Sequence, residues 1–162
     1  VVSFSHPSVA EGLLLIECLF TLEVNKDVKP YLTSNLIRTV IGEDIRDYTN
    51  LLSHEKINLT KEFVKQEVAK QIIKAKRKEL ESLIKISQKQ ADKPSQAFIE
   101  QSLENVRQIL GTEIQRLRSL SKVNPNVRAE EIEYFSNKLS LVESSIESAA
   151  LRLDGLRVLV AV

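Results

Sequence analysis

Three residues, Asn124-Pro125-Asn126, separate two runs of apolar side chains and leave little choice for the C-terminal third of the chain. Upstream, Ile99, Leu103, Val106, Leu110, Leu117 and Leu120 recur at helical spacing. Downstream, Ile132, Phe135, Leu139, Val142, Ile146, Ala149 and Leu153 alternate steps of three and four. Stripes this narrow are what two helices bury against each other. A corner this short permits an antiparallel helical hairpin, with arms reaching about 40 Å. Asn126 is expected to cap the second arm, where Glu130, Glu131 and Glu133 suit the positive end of the helix dipole.

Strand chemistry flanks this hairpin. Gly155 frees the backbone to leave the helix, and Leu156–Val162 is apolar and β-branched, so a closing strand is expected to rejoin an N-terminal sheet. Val2–Ser5 suits a short strand ended by His6-Pro7. Across Leu13–Val24, Ile16, Cys18, Phe20, Leu22 and Val24 share one face while Glu17, Leu19, Thr21 and Glu23 share the other, the period of a half-buried strand. Leu36–Ile41, ended by Gly42, is a second strand candidate for which a short helix fits nearly as well, and Asp44–Leu59 is ambiguous. Thr60 is placed as an N-cap for a helix through Gln90, with Ala91–Pro94 as an interruption and Pro94 in the first turn of the next helix. The expected fold is α+β in a single domain over 1–162: a strand-rich part (1–60), a basic helix (61–93), a helical hairpin (94–154) and a closing strand (155–162). Its small, mostly antiparallel sheet combines N-terminal strands with the C-terminal one.

Composition narrows function mainly by exclusion. Hydrophobic residues at 43% and charged residues at 28% are ordinary for a folded soluble domain. The one cysteine, Cys18, excludes an internal disulfide. No apolar run approaches the roughly 20 residues of a membrane span, and the first residues lack the features of a signal peptide. A cytoplasmic setting with no membrane partner is therefore expected. The chain starts without Met and contains none, which suggests a C-terminal piece of a longer protein with some residues missing.

No catalytic constellation emerges. Gly12, Gly42, Gly111 and Gly155 are isolated, so no phosphate-cradling loop can be built. His6 and His54 lack metal-ligand spacing, and His6 suits a turn contact beside Pro7. Cys18 on an apolar face reads as a core residue. The expectation is a non-enzymatic chain with no catalytic, metal or cofactor residues. Charge, by contrast, is unevenly placed: residues 61–93 hold 10 basic and 5 acidic groups despite a net charge of +1 overall. Lys70, Lys74, Arg77 and Lys78, with Lys76 nearby, are a candidate patch for phosphate backbone or an acidic protein surface. Against this stands a solvated helix face with Glu67–Lys70 and Lys74–Glu79 neighbours, favoured by the lack of aromatic side chains for base stacking. Coiled-coil dimerisation is a further alternative for the long helices.

The C-terminal third also carries a resemblance. Arg116-Leu-x-x-Leu120, Val123-Asn-Pro-Asn-Val-Arg128, Glu131-Ile132 and Arg152-Leu-Asp-x-Leu-Arg157, followed by an apolar strand, resemble the C-terminal end of the RapA/HepA family. These are bacterial RNA polymerase-associated ATPases of the Swi/Snf helicase-like group. Phe4–Gly12 is similar to the family's short strand and His-Pro-led helix, and the family usually carries extra residues between Gly12 and Leu13. Gly155 stands where Ala is common, and Leu151 where some relatives have an aromatic. The resemblance implies a longer protein whose ATP- and Mg-dependent helicase-like motor lies upstream and promotes RNA polymerase recycling in transcription. It implies as partners core RNA polymerase and the upstream ATPase domains, with DNA or RNA as further possible ligands. For this part of the chain it implies docking or bracing, with no ATPase residues of its own.

Overall fold

The computed structural model describes residues 1–162. The chain is α+β, with a five-stranded sheet of order β3-β2-β5-β1-β4. The strands are β1 (Val2–Phe4), β2 (Leu14–Glu23), β3 (Leu36–Gly42), β4 (Glu62–Phe63) and β5 (Ala150–Ala161). The helices are α1 (His54–Thr60), α2 (Gln66–Ala75), α3 (Arg77–Ser121) and α4 (Ala129–Glu147). Two compact units divide the chain: Val1–Thr21 with Leu36–Pro94 and Arg152–Val162, and Leu22–Asn35 with Ser95–Leu151.

The first unit contains nearly all of the sheet. β2 and β3 pair antiparallel from Leu15↔Gly42 to Thr21↔Leu36, while β1 runs parallel to β5, as in Val2↔Leu159. Ile16, Cys18, Phe20 and Leu22 along β2 are buried as expected, but the strand is not half-buried, because Leu15 and Glu17 on its other face are buried too. Leu15 joins Val2, Phe4, Val40, Leu52, Ile57 and Leu159 in one core cluster. On the opposite face, Cys18 is fully buried beside the hydroxyls of Ser87 and Thr39, two enclosed oxygens without another partner. Along the first part of α3, Leu80, Leu83, Ser87 and Ala91 recur at helical spacing and are all buried. The open edge of β3 is closed by its own following loop: Tyr48 N–H donates to Val40 O (2.8 Å), and Val40 N–H donates to Thr49 Oγ1 (2.9 Å).

The second unit is the hairpin with the 22–35 loop. Val106 and Leu110 of α3 and Val142 and Ile146 of α4 form its buried seam, flanked by Leu103, Phe135 and Leu139. Arg107 Nε lies 2.6 Å from Glu143 Oε1, tying the arms at the surface. Leu22 and Val28 join the same core. The loop is pinned by Thr33 N–H donating to Ser102 Oγ (3.1 Å) and Asn105 Nδ2 donating to Tyr31 O (3.2 Å).

Several boundaries differ from the sequence expectation. Thr60 does not start a helix; it ends α1, whose N-cap is Ser53, with Ser53 Oγ accepting from Lys56 N–H. The Thr60 hydroxyl instead donates to Ser5 O (3.1 Å) and accepts from Ser5 N–H (3.2 Å), beside the pairing of β4 with β1. Pro94 lies inside α3 without ending it. Its ring leaves the Gln90 carbonyl without the usual helical donor, and the buried Ala91 and Ser95 on either side anchor that turn. Asn126 is not the α4 cap; Arg128 holds that position without a side-chain bond, and Asn124 Oδ1 accepts from Asn126 N–H within the corner. Gly155 lies within β5, so α4 ends before the Leu153 expected on its seam. Pro7 and Ser8 form a turn in place of a helix, stabilised by Ser8 N–H donating to His6 Nδ1 (3.2 Å). At Gly12, a positive φ of 82° carries the chain into β2, and Gly12 N–H donates to Ala161 O.

Candidate functional site

The five basic candidates divide between two helices. Lys70 and Lys74 are exposed on α2, whereas Arg77 and Lys78 open α3. Lys76 forms the junction, with φ −103° and ψ 19°. Lys76 N–H still donates to Ile72 O, and Leu80 N–H to Lys76 O, so helical bonding continues through a local bend. That bend breaks the single ladder of charges expected from spacing. Lys76 Nζ is also partly committed, 3.2 Å from Glu43 Oε2, and Arg77 Nε lies 2.9 Å from Glu81 Oε1. The bond and charge of Glu81 push the Arg77 guanidinium further up, so it remains a cation at neutral pH. Lys70, Lys74 and Lys78 are exposed and have no carboxylate partner. Such a cluster attracts an anionic surface and offers neither a nucleophile nor a base. Its attraction is screened over about 10 Å at 0.1 M salt.

A second charged group was missed because its members are distant in sequence. Glu17 has 3% of its surface exposed and sits between two guanidiniums: Arg38 Nε at 2.6 Å and Arg157 Nε at 2.5 Å. Arg38 also donates to Leu52 O (2.6 Å), and Arg157 to Asn58 Oδ1 (3.0 Å). His54 Nδ1 approaches the same carboxylate at 3.4 Å. Burial alone would raise the Glu17 carboxyl, but hydrogen bonds and charge from Arg38 and Arg157 outweigh it and hold the group below its ordinary range. The arrangement locks α1 to strands β2, β3 and β5, with both guanidiniums already engaged. Its chemistry is structural.

The remaining reactive groups offer no competing site. Burial pushes the Cys18 thiol up, against a smaller opposing effect from Ser87, so it is a poor nucleophile. No group of three or more His, Cys, Asp or Glu side chains is placed to hold a metal ion. No helix is long and apolar enough to cross a membrane.

Comparison with known proteins supplies what this geometry leaves open. A family model described as RNA polymerase recycling family C-terminal matches residues 1–161. Among curated relatives, the RNA polymerase-associated protein RapA of Erwinia tasmaniensis is 27% identical over 153 residues, covering 92% of this chain. RapA of Proteus mirabilis is 25% identical over 153 residues, and that of Pasteurella multocida is 27% identical over 160 residues, or 96% of the chain. The chain spans 16% of the length of each of these relatives. The match runs through both structural units, so the chain belongs to the RNA polymerase recycling family as its C-terminal domain.

Proposed function

We propose that this domain is the non-catalytic part of an RNA polymerase-associated protein that docks on polymerase or braces the motor to which it is joined. The family match over residues 1–161 carries this reading. ATP binding and hydrolysis, with the Mg they require, are assigned to the remaining length of the parent protein, as are any helicase-like movements on DNA. The structural support lies within each unit, the Glu17 ion group fixing one and the helical seam filling the other. Exposed lysines on α2 and α3 supply an attractive surface.

The alternatives fit less well. Hairpin dimerisation would need an open seam, whereas Val106 and Leu110 already pack with Val142 and Ile146. Nucleic-acid binding draws on Lys70, Lys74 and Lys78, but segment 61–93 offers a single aromatic ring for stacking, Phe63, and Lys61 Nζ lies over it.

A competition experiment tests the reading. The isolated chain, added in excess, is expected to displace a full-length RapA relative from core RNA polymerase. An unchanged complex at saturating chain, together with no direct binding, would reject docking and leave bracing.

A further inference from the structure

The two outer edges of the sheet are limited in ordinary ways. The loop after β3 bonds back to Val40, and β4 is only two residues long. A stretch inside the sheet is treated differently. β5 runs for twelve residues, whereas β1, its neighbour on one side, runs for three. β1 pairs with the last part of β5 alone, through Val2↔Leu159, Ser3↔Val160 and Phe4↔Ala161. Beside Leu156 and Arg157 on that side, the chain supplies no strand.

Direction and register define what belongs there. β1 and β5 are parallel, so polypeptide arriving at Val1 travels along β5 from the Leu156 side. Val162 N–H donates to Phe4 O (2.9 Å). By the alternation of a strand, the N–H and C=O groups of Val160, Val158 and Leu156 turn to the same side. The register then sets Val158 N–H opposite the carbonyl of the residue directly before Val1, and Leu156 C=O opposite that residue's N–H. Leu156 N–H falls opposite the third residue before Val1. Val158 is 6% exposed, which leaves its amide little access to water, and the Leu156 side chain is 46% exposed. On the far side of β1, Val64 N–H donates to Val1 O (3.4 Å), so the pairing that starts at β4 runs up to the first residue.

An apolar face accepts many partners, but a strand edge accepts an extended backbone. A segment covalently continuous with β1 reaches this edge without the entropy cost of association. The chain matches a family model described as C-terminal and spans 16% of the length of its RapA relatives, so such relatives carry polypeptide ahead of this region.

We infer that in the parent protein the three residues before Val1 continue β1 as a strand against Leu156 and Arg157 of β5. This rests on the part of the reading above that joins the domain to an upstream motor, and it gives that join a location. Arg157 also bonds Glu17, so the incoming strand meets the sheet beside its ion group. The connection is then a hydrogen-bonded strand in place of a free linker, which suits a brace.

The test is hydrogen exchange, read by mass spectrometry, on the full-length parent. Peptides covering Leu156–Val158 are compared among wild type, a variant with proline directly before Val1, and one with glycine there. Proline removes the N–H assigned to Leu156 C=O, and glycine keeps it. Exchange is expected to be at least about tenfold faster in the proline variant and close to wild type in the glycine variant. Peptides from β2 should exchange alike in all three, showing an intact sheet. Equal exchange at Leu156–Val158 in wild type and the proline variant overturns the inference, as does equally fast exchange with glycine. Free exchange of the residues ahead of Val1 in wild type overturns it whatever the variants do. Slow exchange that develops only when core polymerase is added assigns the edge to polymerase and overturns it too. The reading beneath fails separately: a parent lacking residues 1–162 that binds core polymerase and melts as the full parent does rejects docking and bracing alike.

Discussion

Arg157 Nε lies 2.5 Å from Glu17 Oε2, a bond between residues 140 positions apart that fastens the C-terminal strand to the N-terminal sheet. Arg38 bonds the other carboxylate oxygen at 2.6 Å, so one buried acid joins three strands. Truncation by Glu17→Ala would leave two guanidiniums without their acceptor. The expected loss is about 2–4 kcal/mol in urea unfolding, because the charges are largely withdrawn from water. A loss below about 1 kcal/mol would place the pair among ordinary surface salt bridges.

The same group predicts an acid limb in stability. The folded-state Glu17 pKa is depressed, so the folded chain binds fewer protons than the unfolded chain in the window between the two values. Its contribution is therefore fully present above the unfolded carboxylate range, about pH 4, and is lost as pH falls through the lower folded value. Glu17→Gln should flatten this part of the stability–pH curve while lowering its neutral plateau. Unfolding midpoints measured from pH 6 to pH 2 would show both effects. An unchanged acid slope would contradict this linkage.

Gly155 offers a gain in stability. An added Cβ there would meet the Leu19 side chain at 3.5–3.8 Å, ordinary contact distances. Gly155→Ala fills that space and reduces the freedom of the unfolded chain, so a stabilisation of about 0.5–1 kcal/mol is expected. Thermal unfolding should register it as a rise of a few degrees.

The hairpin predicts a sharp contrast along one helix. Ile146 is fully buried in the seam, whereas Leu141 is 72% exposed. Ile146→Ala should cost about 2–4 kcal/mol, and Leu141→Ala less than about 0.5 kcal/mol. Equal costs in chemical denaturation would mean that the seam is wrongly placed.

Local pattern made much of this fold readable. The alternation from Ile16 to Val24 identified β2 and its buried face, and the spacing from Ile99 to Ile146 located the hairpin. Reading failed where distant groups override local rules. Pro94 would ordinarily mark a break, but its helix continues between the buried Ala91 and Ser95. Thr60 had the chemistry of a cap, yet its hydroxyl serves Ser5, 55 residues away. Glu17 was assigned to the more polar face of its strand because neither Arg38 nor Arg157 is a sequence neighbour. The cap at Ser53 carried a usable signal: a hydroxyl residue directly ahead of His54 and Glu55 at the helix start. For the candidate surface, charge counting found the basic residues, but the bend at Lys76 and its pairing with Glu43, 33 residues away, left no local signal.

Docking by this C-terminal domain itself is decided by equilibrium binding of the isolated 162-residue chain to core RNA polymerase at low and moderate salt. Retention is expected at both salts, with some weakening at the higher one as the lysine contribution is screened. Absence of binding at both would contradict docking and leave the domain a brace for the rest of its parent protein.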